Sequence, residues 1–319
     1  MRRAEPAPGS WPGETVFLVD THVHLDQYDP AEARRLIRRA SAAGVGRLLT
    51  VGVSWATSRQ AIALARDYPT VLAAAGSHPR WLAGELRLIG DVVNGDPPGG
   101  ESTIGDAAAL ETLLSRLDRL LVDAAALGEV GLDYGPDAAT SSGAGGGHSP
   151  LADGPNTAPP EIQRMFLAGC LDLARRRDRA VVLHVVGGPD QPAGDAHADA
   201  LALLHSRPVD HPSRPRIAVH YFVGDWPLAE RYLEAGCWIS VGKPVTRAAN
   251  QALREAVARL PLDRLLIETD AYPLPGRTTE PRDVRDVAAA VAEIKGISPV
   301  EVGRATTAAF RRWLGTAAR

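Results

Sequence analysis

Cysteine is scarce in this chain of 319 residues, which contains only Cys170 and Cys237. The two lie far apart and neither belongs to a C-x-x-C motif, so neither a disulfide framework nor a thiolate zinc site is indicated. We expect Cys170 on a buried helix face and Cys237 at the start of a strand, both as ordinary core residues.

An excess of positive charge is also lacking. The formal net charge is −3, so no overall positive field attracts the protein to nucleic acid or to a membrane surface. A nucleic-acid substrate would therefore have to be held by a local group of basic residues.

The sequence has no apolar run of about 18 residues, the length that a membrane-spanning helix needs. The first residues, "MRRAEPAPGSWPGE", include two arginines but no apolar segment behind them, which is not the pattern of a secretory signal. We expect a soluble cytoplasmic protein with no membrane segment, in which residues 1–14 form a disordered tail.

What the sequence does contain is a regular alternation of short apolar runs and helical patterns. The predicted strands cover 16–20, 46–53, 70–76, 125–131, 180–186, 215–221, 236–241 and 263–269. The clearest helical patterns cover 31–43, 160–176, 282–295 and 298–314. Strands that alternate with helices indicate parallel βαβ units, and eight of them predict an α/β fold, the closed (β/α)8 barrel of the TIM type. The alternative is an open doubly wound sheet, which usually has a glycine-rich turn after its first strand.

Two segments, 91–108 and 135–159, interrupt this alternation. Both are rich in Gly, Pro, Ala and Ser and lack apolar periodicity, which predicts flexible loop insertions. Because the second follows the fourth predicted strand, we expect it to be a mobile flap beside the barrel mouth, with His148 in solvent. Residues 15–319 are predicted to form one domain.

His22 and His24 stand two positions apart, just after the first predicted strand. In an extended strand such residues point to the same face, so two neutral imidazoles could reach one metal ion. Two loop histidines that face water are the alternative, and the pair alone does not decide between them.

Further polar residues lie on or just after other predicted strands. They are Glu129 in "GEVGLDY", His184 in "VVLHVV", His220 in "AVHYF" and Asp270 in "LLIETDAYP". Catalytic groups of such barrels gather at the C-terminal ends of the strands, so we expect these four to converge with His22 and His24 on one rim. Taken alone, each of these residues has an ordinary explanation, as a paired glutamate, a core histidine or a helix cap. For all six residues, His22 and His24 included, to stand at strand ends for such unrelated reasons would take six separate coincidences. The remaining histidines between the fifth and sixth strands are expected at the surface: His197, His205 and His211.

Taken together, these motifs resemble the TatD family of metal-dependent hydrolases. The matching pieces are "DTHVHLD", "GSHPRW", "GEVGLDY", "EIQRMF", "VVLHV", "VHYFVGD", "GCWISVGKP" and "LPLDRLLIETDAYPL", which span about residues 17–315. The resemblance implies hydrolysis with two divalent metal ions, typically by a DNase or phosphodiesterase. It implies one ion bound by His22, His24 and Asp270, and a second bound by His184 and His220. Glu129 would bridge the two ions.

The residue types suit this chemistry. Two divalent ions roughly 3.5–4 Å apart lower the pKa of a shared water and stabilise the attacking and leaving oxygens. Glu129 has two oxygens with which to bridge the ions, and Asp270 can orient the water or take its proton, so both are predicted catalytic residues. Nitrogen and oxygen ligands admit Mg, Mn, Zn or Co, and the sequence does not choose among them.

Four residues near the strand ends are predicted to bind the substrate. They are His78 in "GSHP", Arg80 beside it, Lys243 after the seventh strand and Arg277 after the eighth. For the three cationic side chains, a solvated surface position is the alternative.

Some positions depart from the family pattern. No arginine follows His184, where the family usually has one, and both Ala271 and Tyr272 precede Pro273. The leading prediction is a metal-dependent nuclease or phosphodiesterase acting on nucleic acid or a small phosphodiester, without an obligate protein partner. The missing arginine leaves open an amide or ester hydrolase, including one acting on acyl-tRNA. A third interpretation is a catalytically weak barrel that serves as a partner in a larger assembly.

Overall fold

A computed structural model describes residues 17–94, 107–135, 158–188, 190, 194–206 and 215–315 of the chain. The predicted tail at 1–14, most of the insertion at 135–159, and His148 and His211 lie outside the described residues. No helix within the described part of the chain is both long enough and apolar enough to cross a membrane.

The described residues contain one sheet of eight parallel strands in sequential order. The strands are β1 (Leu18–Val23), β2 (Val45–Val51), β3 (Val71–Ala75), β4 (Ala126–Asp133), β5 (Ala180–Val186), β6 (Ile217–Val219), β7 (Trp238–Val241) and β8 (Leu265–Ile267). The sheet closes after β8, where the Asp270 N–H donates to the His22 carbonyl and the His24 N–H donates to the Ala271 carbonyl, each at 2.9 Å. The predicted (β/α)8 barrel is therefore confirmed, and the open doubly wound sheet is wrong.

Helices follow the strands around the outside of the barrel. They are α1 (Pro30–Ala42), α2 (Trp55–Asp67), α3 (Pro79–Asn94), α4 (Ala107–Leu120), α5 (Pro160–Arg177), α6 (Ala196–His205), α7 (Trp226–Glu234), α8 (Gln251–Arg259), α9 (Val284–Lys295) and α10 (Pro299–Leu314). Local capping sets several starts: the Asp29 carboxylate accepts the Ala31 N–H at 2.9 Å before α1, and Ser298 forms a capping box with Glu301 before α10. Proline at the first helical position needs no hydrogen-bond partner, which fits Pro30, Pro160 and Pro299.

Two sequence-based boundaries need correction. The first strand was expected at 16–20, but β1 continues through His22 to Val23, with an irregular register against β2. The insertion expected at 91–108 is shorter, because α3 continues to Asn94 and α4 already begins at Ala107. The helical periodicity on both sides of "NGDPPGG" therefore extends further than the composition suggested.

The end of the barrel opposite the site is filled with apolar side chains. Ala126, Ala180 and Trp238 are the first residues of their strands, and they belong to a buried cluster that includes Phe310 and Trp313 of α10. Burying this end against a helix leaves the C-terminal strand ends as the place where polar groups can meet.

Gly131 lies where β4 runs close beside β5. It pairs with His184, and a Cβ atom at this position would lie 1.8 Å from the His184 carbonyl oxygen. We expect Gly131→Ala to lower the free energy of unfolding by roughly 1–3 kcal/mol or more, the usual effect of overpacking. Thermal or urea unfolding measures this change.

Gly84, inside α3, provides the control for this prediction. A Cβ atom there would meet no atom within 4 Å, so Gly84→Ala should raise stability by roughly 0.5–1 kcal/mol, as expected for alanine in a helix. Equal stability of the two variants would show that the close approach of β4 to β5 is not a constraint.

Candidate metal centre

The two histidines of β1 lie side by side at the rim, as the alternation of a strand predicts. Their Nε2 atoms are 3.2 Å apart. The other nitrogen of His24, Nδ1, donates to the Val51 carbonyl at 2.8 Å, which turns Nε2 of His24 toward the centre. Burial alone would lower the pKa of His24, but its hydrogen bond to Asp270 and the negative charges around it raise the pKa to about 9. Charges that favour a proton at this position also favour a metal cation.

Glu129 occupies the middle of the centre, where its two carboxylate oxygens face different histidines. Oε2 lies 3.4 Å from His22 Nε2 and 3.8 Å from His24 Nε2. Oε1 lies 2.8 Å from His184 Nδ1 and 2.7 Å from His220 Nε2. Burial opposes the ionisation of Glu129, yet the surrounding imidazoles, His220 foremost, hold its pKa well below the usual range.

His184 and His220 face each other on the second side of Glu129. His184 Nδ1 is 3.1 Å from His220 Nε2. The opposite nitrogen of His184, Nε2, lies 3.2 Å from the Asp133 carboxylate, and the opposite nitrogen of His220, Nδ1, lies 3.4 Å from the Glu268 carboxylate. Each imidazole therefore presents one nitrogen to the centre and the other to a carboxylate behind it.

Asp270 completes the first side, next to the seam where the barrel closes. Its Oδ1 lies 3.3 Å from His24 Nε2 and 3.8 Å from His22 Nε2. The residue has a left-handed backbone with φ of 51°, a conformation that aspartate tolerates better than most residues. Burial opposes its ionisation, but the hydrogen bond to His24 and the charges of nearby imidazoles lower its pKa.

The donor set fits divalent metal ions. Glu129 and Asp270 are buried and have lowered pKa values, and buried carboxylates need compensating positive charge. Arg277 forms an ion pair at the edge of this group, with a guanidinium nitrogen 3.9 Å from Asp270 Oδ2. Imidazole nitrogens and carboxylate oxygens are ligands of Zn, Mn and related ions, and they surround Glu129 on two sides.

The four predicted substrate-binding residues have different surroundings. His78 lies in the centre, with Nε2 at 3.6 Å from Glu129 Oε1. Burial and the neighbouring His184 lower its pKa to about 3, so this imidazole is neutral at pH 7. Arg277 is largely buried, stacks 3.9 Å from the centre of the Tyr272 ring and donates to the Asp270 carbonyl at 2.6 Å.

The other two cations are paired with carboxylates. Arg80 donates twice to Asp133, at 2.6 and 3.0 Å, and Lys243 donates to Asp283 at 3.0 Å. Neither is a solvated surface charge, but both would have to share their charge between a carboxylate and a substrate phosphate. Their assignment to the substrate stays a prediction.

Asp133 and Glu268 are site residues to which the sequence analysis gave no role. Both stand near ends of strands, Asp133 as the last residue of β4 and Glu268 just after β8, so the rule that located Glu129 and Asp270 also applies to them. His197 corrects a different expectation, because it is only partly exposed and its Nδ1 lies 2.9 Å from the Tyr232 hydroxyl. His205 is exposed and both cysteines are buried, as expected.

A (β/α)8 barrel with imidazoles and carboxylates gathered at its C-terminal strand ends defines a metal-dependent barrel hydrolase. The chain belongs to the TatD family, since the family model described as TatD related DNase matches residues 19–315.

Known proteins agree with this assignment. YjjV of Escherichia coli, described as an uncharacterized metal-dependent hydrolase, is 30% identical over 295 residues, which cover 90% of this chain and 94% of YjjV. A Citrobacter rodentium protein named 3'-5' ssDNA/RNA exonuclease TatD is 28% identical over 290 residues, which cover 88% of this chain and 90% of that protein. The crystal structure of YjjV matches with a TM-score of 0.69 and 25% identity, over 93% of this chain and 98% of that chain.

Proposed function

We propose that this protein is a nuclease or phosphodiesterase that uses two divalent metal ions to hydrolyse nucleic acid or a small phosphodiester. The observation that carries the proposal is that the two carboxylate oxygens of Glu129 face two different pairs of histidines. Oε2 faces His22 and His24, and Oε1 faces His184 and His220. The similarity to a protein named as an exonuclease supports the same substrate class.

Each residue has a defined part in this proposal. His22, His24 and Asp270 would hold one ion, His184 and His220 would hold the other, and Glu129 would contribute an oxygen to each. When bound, two such ions lower the pKa of a water molecule and stabilise the attacking and leaving oxygens of a displacement. Asp270, whose pKa is lowered beside His24, would orient the attacking water and accept its proton.

The substrate phosphate would lie against the groups at the open side of the centre. Neutral His78 can donate a hydrogen bond there, and Arg277 supplies a positive charge held in place by Tyr272 and the Asp270 carbonyl. A stacked guanidinium loses little freedom when it binds an oxyanion. Arg80 and Lys243 would contribute at longer range.

Hydrolysis of an amide or ester is the second candidate, favoured by the end of β5. The residues that follow His184 are Val185 and Val186, and Val186 is 39% exposed. An apolar strand end offers no contact for a phosphate, whereas it would suit an uncharged acyl group.

A substrate panel separates the two candidates. Single-stranded DNA, an RNA oligonucleotide, bis-p-nitrophenyl phosphate and a simple ester are each tested with Mg, Mn and Zn. We expect metal-dependent cleavage of at least one phosphodiester, with no cleavage of any substrate after chelation. Turnover of the ester alone would overturn the phosphodiesterase proposal and favour the second candidate.

Arg277 provides a sharper test of the phosphate contact. Arg277→Ala should raise KM for bis-p-nitrophenyl phosphate roughly tenfold or more, the value of a hydrogen bond to a charged group, and should leave KM for an uncharged ester nearly unchanged. Steady-state kinetics on both substrates measure the difference.

The control for this variant is Arg66→Ala, which removes an arginine paired with Asp123 on the surface, away from the centre. It should leave both KM values unchanged. If Arg277→Ala impaired both substrates equally, Arg277 would act by supporting Asp270 and not by binding a phosphate.

A further inference from the structure

Glu268 is a fully buried carboxylate that faces Nδ1 of His220, the nitrogen opposite the one that faces Glu129. Its Oε1 accepts the Tyr221 N–H at 2.6 Å and its Oε2 accepts the Ser240 hydroxyl at 2.5 Å. Both of these donors are neutral. A buried carboxylate is costly unless positive charge compensates it, so two neutral hydrogen bonds do not account for its presence.

The imidazole of His220 is the group that Glu268 can act on. His220 Nδ1 is buried without a hydrogen bond from any described residue, and Glu268 Oε1 lies 3.4 Å from it. The other nitrogen, Nε2, faces Glu129 at 2.7 Å. A proton on Nδ1 directed at Glu268 leaves the lone pair of Nε2 free for a metal ion.

The backbone beside His220 supports this arrangement. Tyr221 has a left-handed backbone with φ of 46°, which is unfavourable for a bulky residue and marks functional positions. This conformation aims the Tyr221 N–H at the same oxygen of Glu268 that faces His220. Ser240 is itself 3.0 Å from the Thr21 hydroxyl, so the carboxylate is held from two sides.

We infer that Glu268 is a positioning residue that fixes the orientation and strengthens the ligand nitrogen of His220, and so selectively tightens one metal ion. This inference rests on the two-ion centre of the proposed function. A carboxylate behind a metal-bound imidazole typically contributes roughly tenfold to hundredfold in metal affinity.

No described carboxylate accepts a hydrogen bond from the outer nitrogen of His22 or His24, so the effect should be strongest on the ion held by His220, although an oxygen of Glu268 also lies within 4.8 Å of a His22 nitrogen. Behind His24 lies the uncharged Val51 carbonyl at 2.8 Å, and His22 Nδ1 is buried with no hydrogen-bond partner among the described residues. Asp133 lies behind His184, but its charge is shared with Arg80. Glu268, by contrast, accepts its two hydrogen bonds from neutral donors, so its charge is not shared with an arginine.

The test is a calorimetric titration of metal-free protein with Mn²⁺. We expect two binding events in the wild type, and a His220→Ala variant identifies the event that depends on His220. Glu268→Gln should weaken that event roughly tenfold to hundredfold and leave the other event almost unchanged. Turnover of this variant should recover at excess Mn²⁺, because the substitution weakens binding of the ion and leaves the fold intact.

Glu85→Gln is the matched control, since Glu85 accepts the Trp55 N–H at 2.6 Å and touches no residue of the centre. It should leave both events unchanged. Equal weakening of both events in Glu268→Gln, or no weakening, would overturn the role of Glu268. Binding of fewer than two Mn²⁺ ions by the wild type would instead overturn the two-ion centre. The role of Glu268 would then be tested by whether Glu268→Gln weakens binding of the one remaining ion.

A second variant covers the outcome in which Glu268→Gln does not fold. Ser240→Ala removes one of the two hydrogen bonds that hold Glu268 and keeps its charge. It should weaken the same His220-dependent event, by less than Glu268→Gln. Unchanged Mn²⁺ binding by a folded Ser240→Ala, together with an unfolded Glu268→Gln, would show that Glu268 serves folding only.

Discussion

Glu129→Gln is expected to reduce turnover by roughly 10³-fold, the upper range for removal of one preorganised electrostatic group. The substitution keeps the size of the side chain but removes the charge that faces four imidazoles on its two sides. Both proposed ions lose the shared negative charge, and the amide can offer its single oxygen to only one of them, so excess metal should not restore the rate. Steady-state kinetics on bis-p-nitrophenyl phosphate and metal content by calorimetry measure the two effects.

The same chemical change away from the centre, Glu85→Gln, provides the control for Glu129→Gln. It should retain wild-type kinetics and metal content. Thermal unfolding of both variants separates catalytic loss from unfolding. If Glu129→Gln bound two ions with unchanged affinity, Glu129 would not be the bridge between them.

Asp270→Asn is expected to reduce turnover by roughly 10²-fold or more, the scale of losing a general acid–base group. The change is nearly isosteric, and the backbone N–H that closes the barrel against His22 is retained, so the fold should survive. The rate is measured under metal saturation to separate proton transfer from ion binding.

The comparison with Glu268→Gln makes this second prediction specific. Excess Mn²⁺ should restore the rate of Glu268→Gln but not that of Asp270→Asn, because only Asp270 is proposed to act on the water itself. A wild-type rate in metal-saturated Asp270→Asn would remove Asp270 from the mechanism.

The fold was predictable because the pattern that specifies it is local. Each strand of a parallel barrel is buried on both faces and therefore reads as a short apolar run, and α helices must follow to connect it to the next strand. The end of β1 was missed because "THVH" is polar, although its backbone continues the strand. Composition likewise placed the start of the first insertion too early, within α3.

Convergence of the six predicted ligand residues was also predictable, since parallel strands bring their C-terminal ends to one rim. Their roles as ligands stay predictions. The strand-end rule could also have placed Asp133 and Glu268 at this rim, but neither the two-sided environment of Glu129 nor the histidine that each of these carboxylates faces could be predicted in the same way. Asp133 lies 51 positions from His184, and Glu268 lies 48 positions from His220, and no local spacing relates such residues.

The sequence by itself determined a barrel of eight strands and a rim rich in imidazoles and carboxylates, because alternation along the chain and strand polarity are local properties. Only the tertiary structure decided which oxygen of Glu129 faces which histidine, that Arg80 and Lys243 are paired with Asp133 and Asp283, and that Glu268 lies against His220. These contacts join side chains from different strands and loops. Their distances depend on register, bulges and side-chain packing around the closed barrel, which are set only when all eight strands are in place.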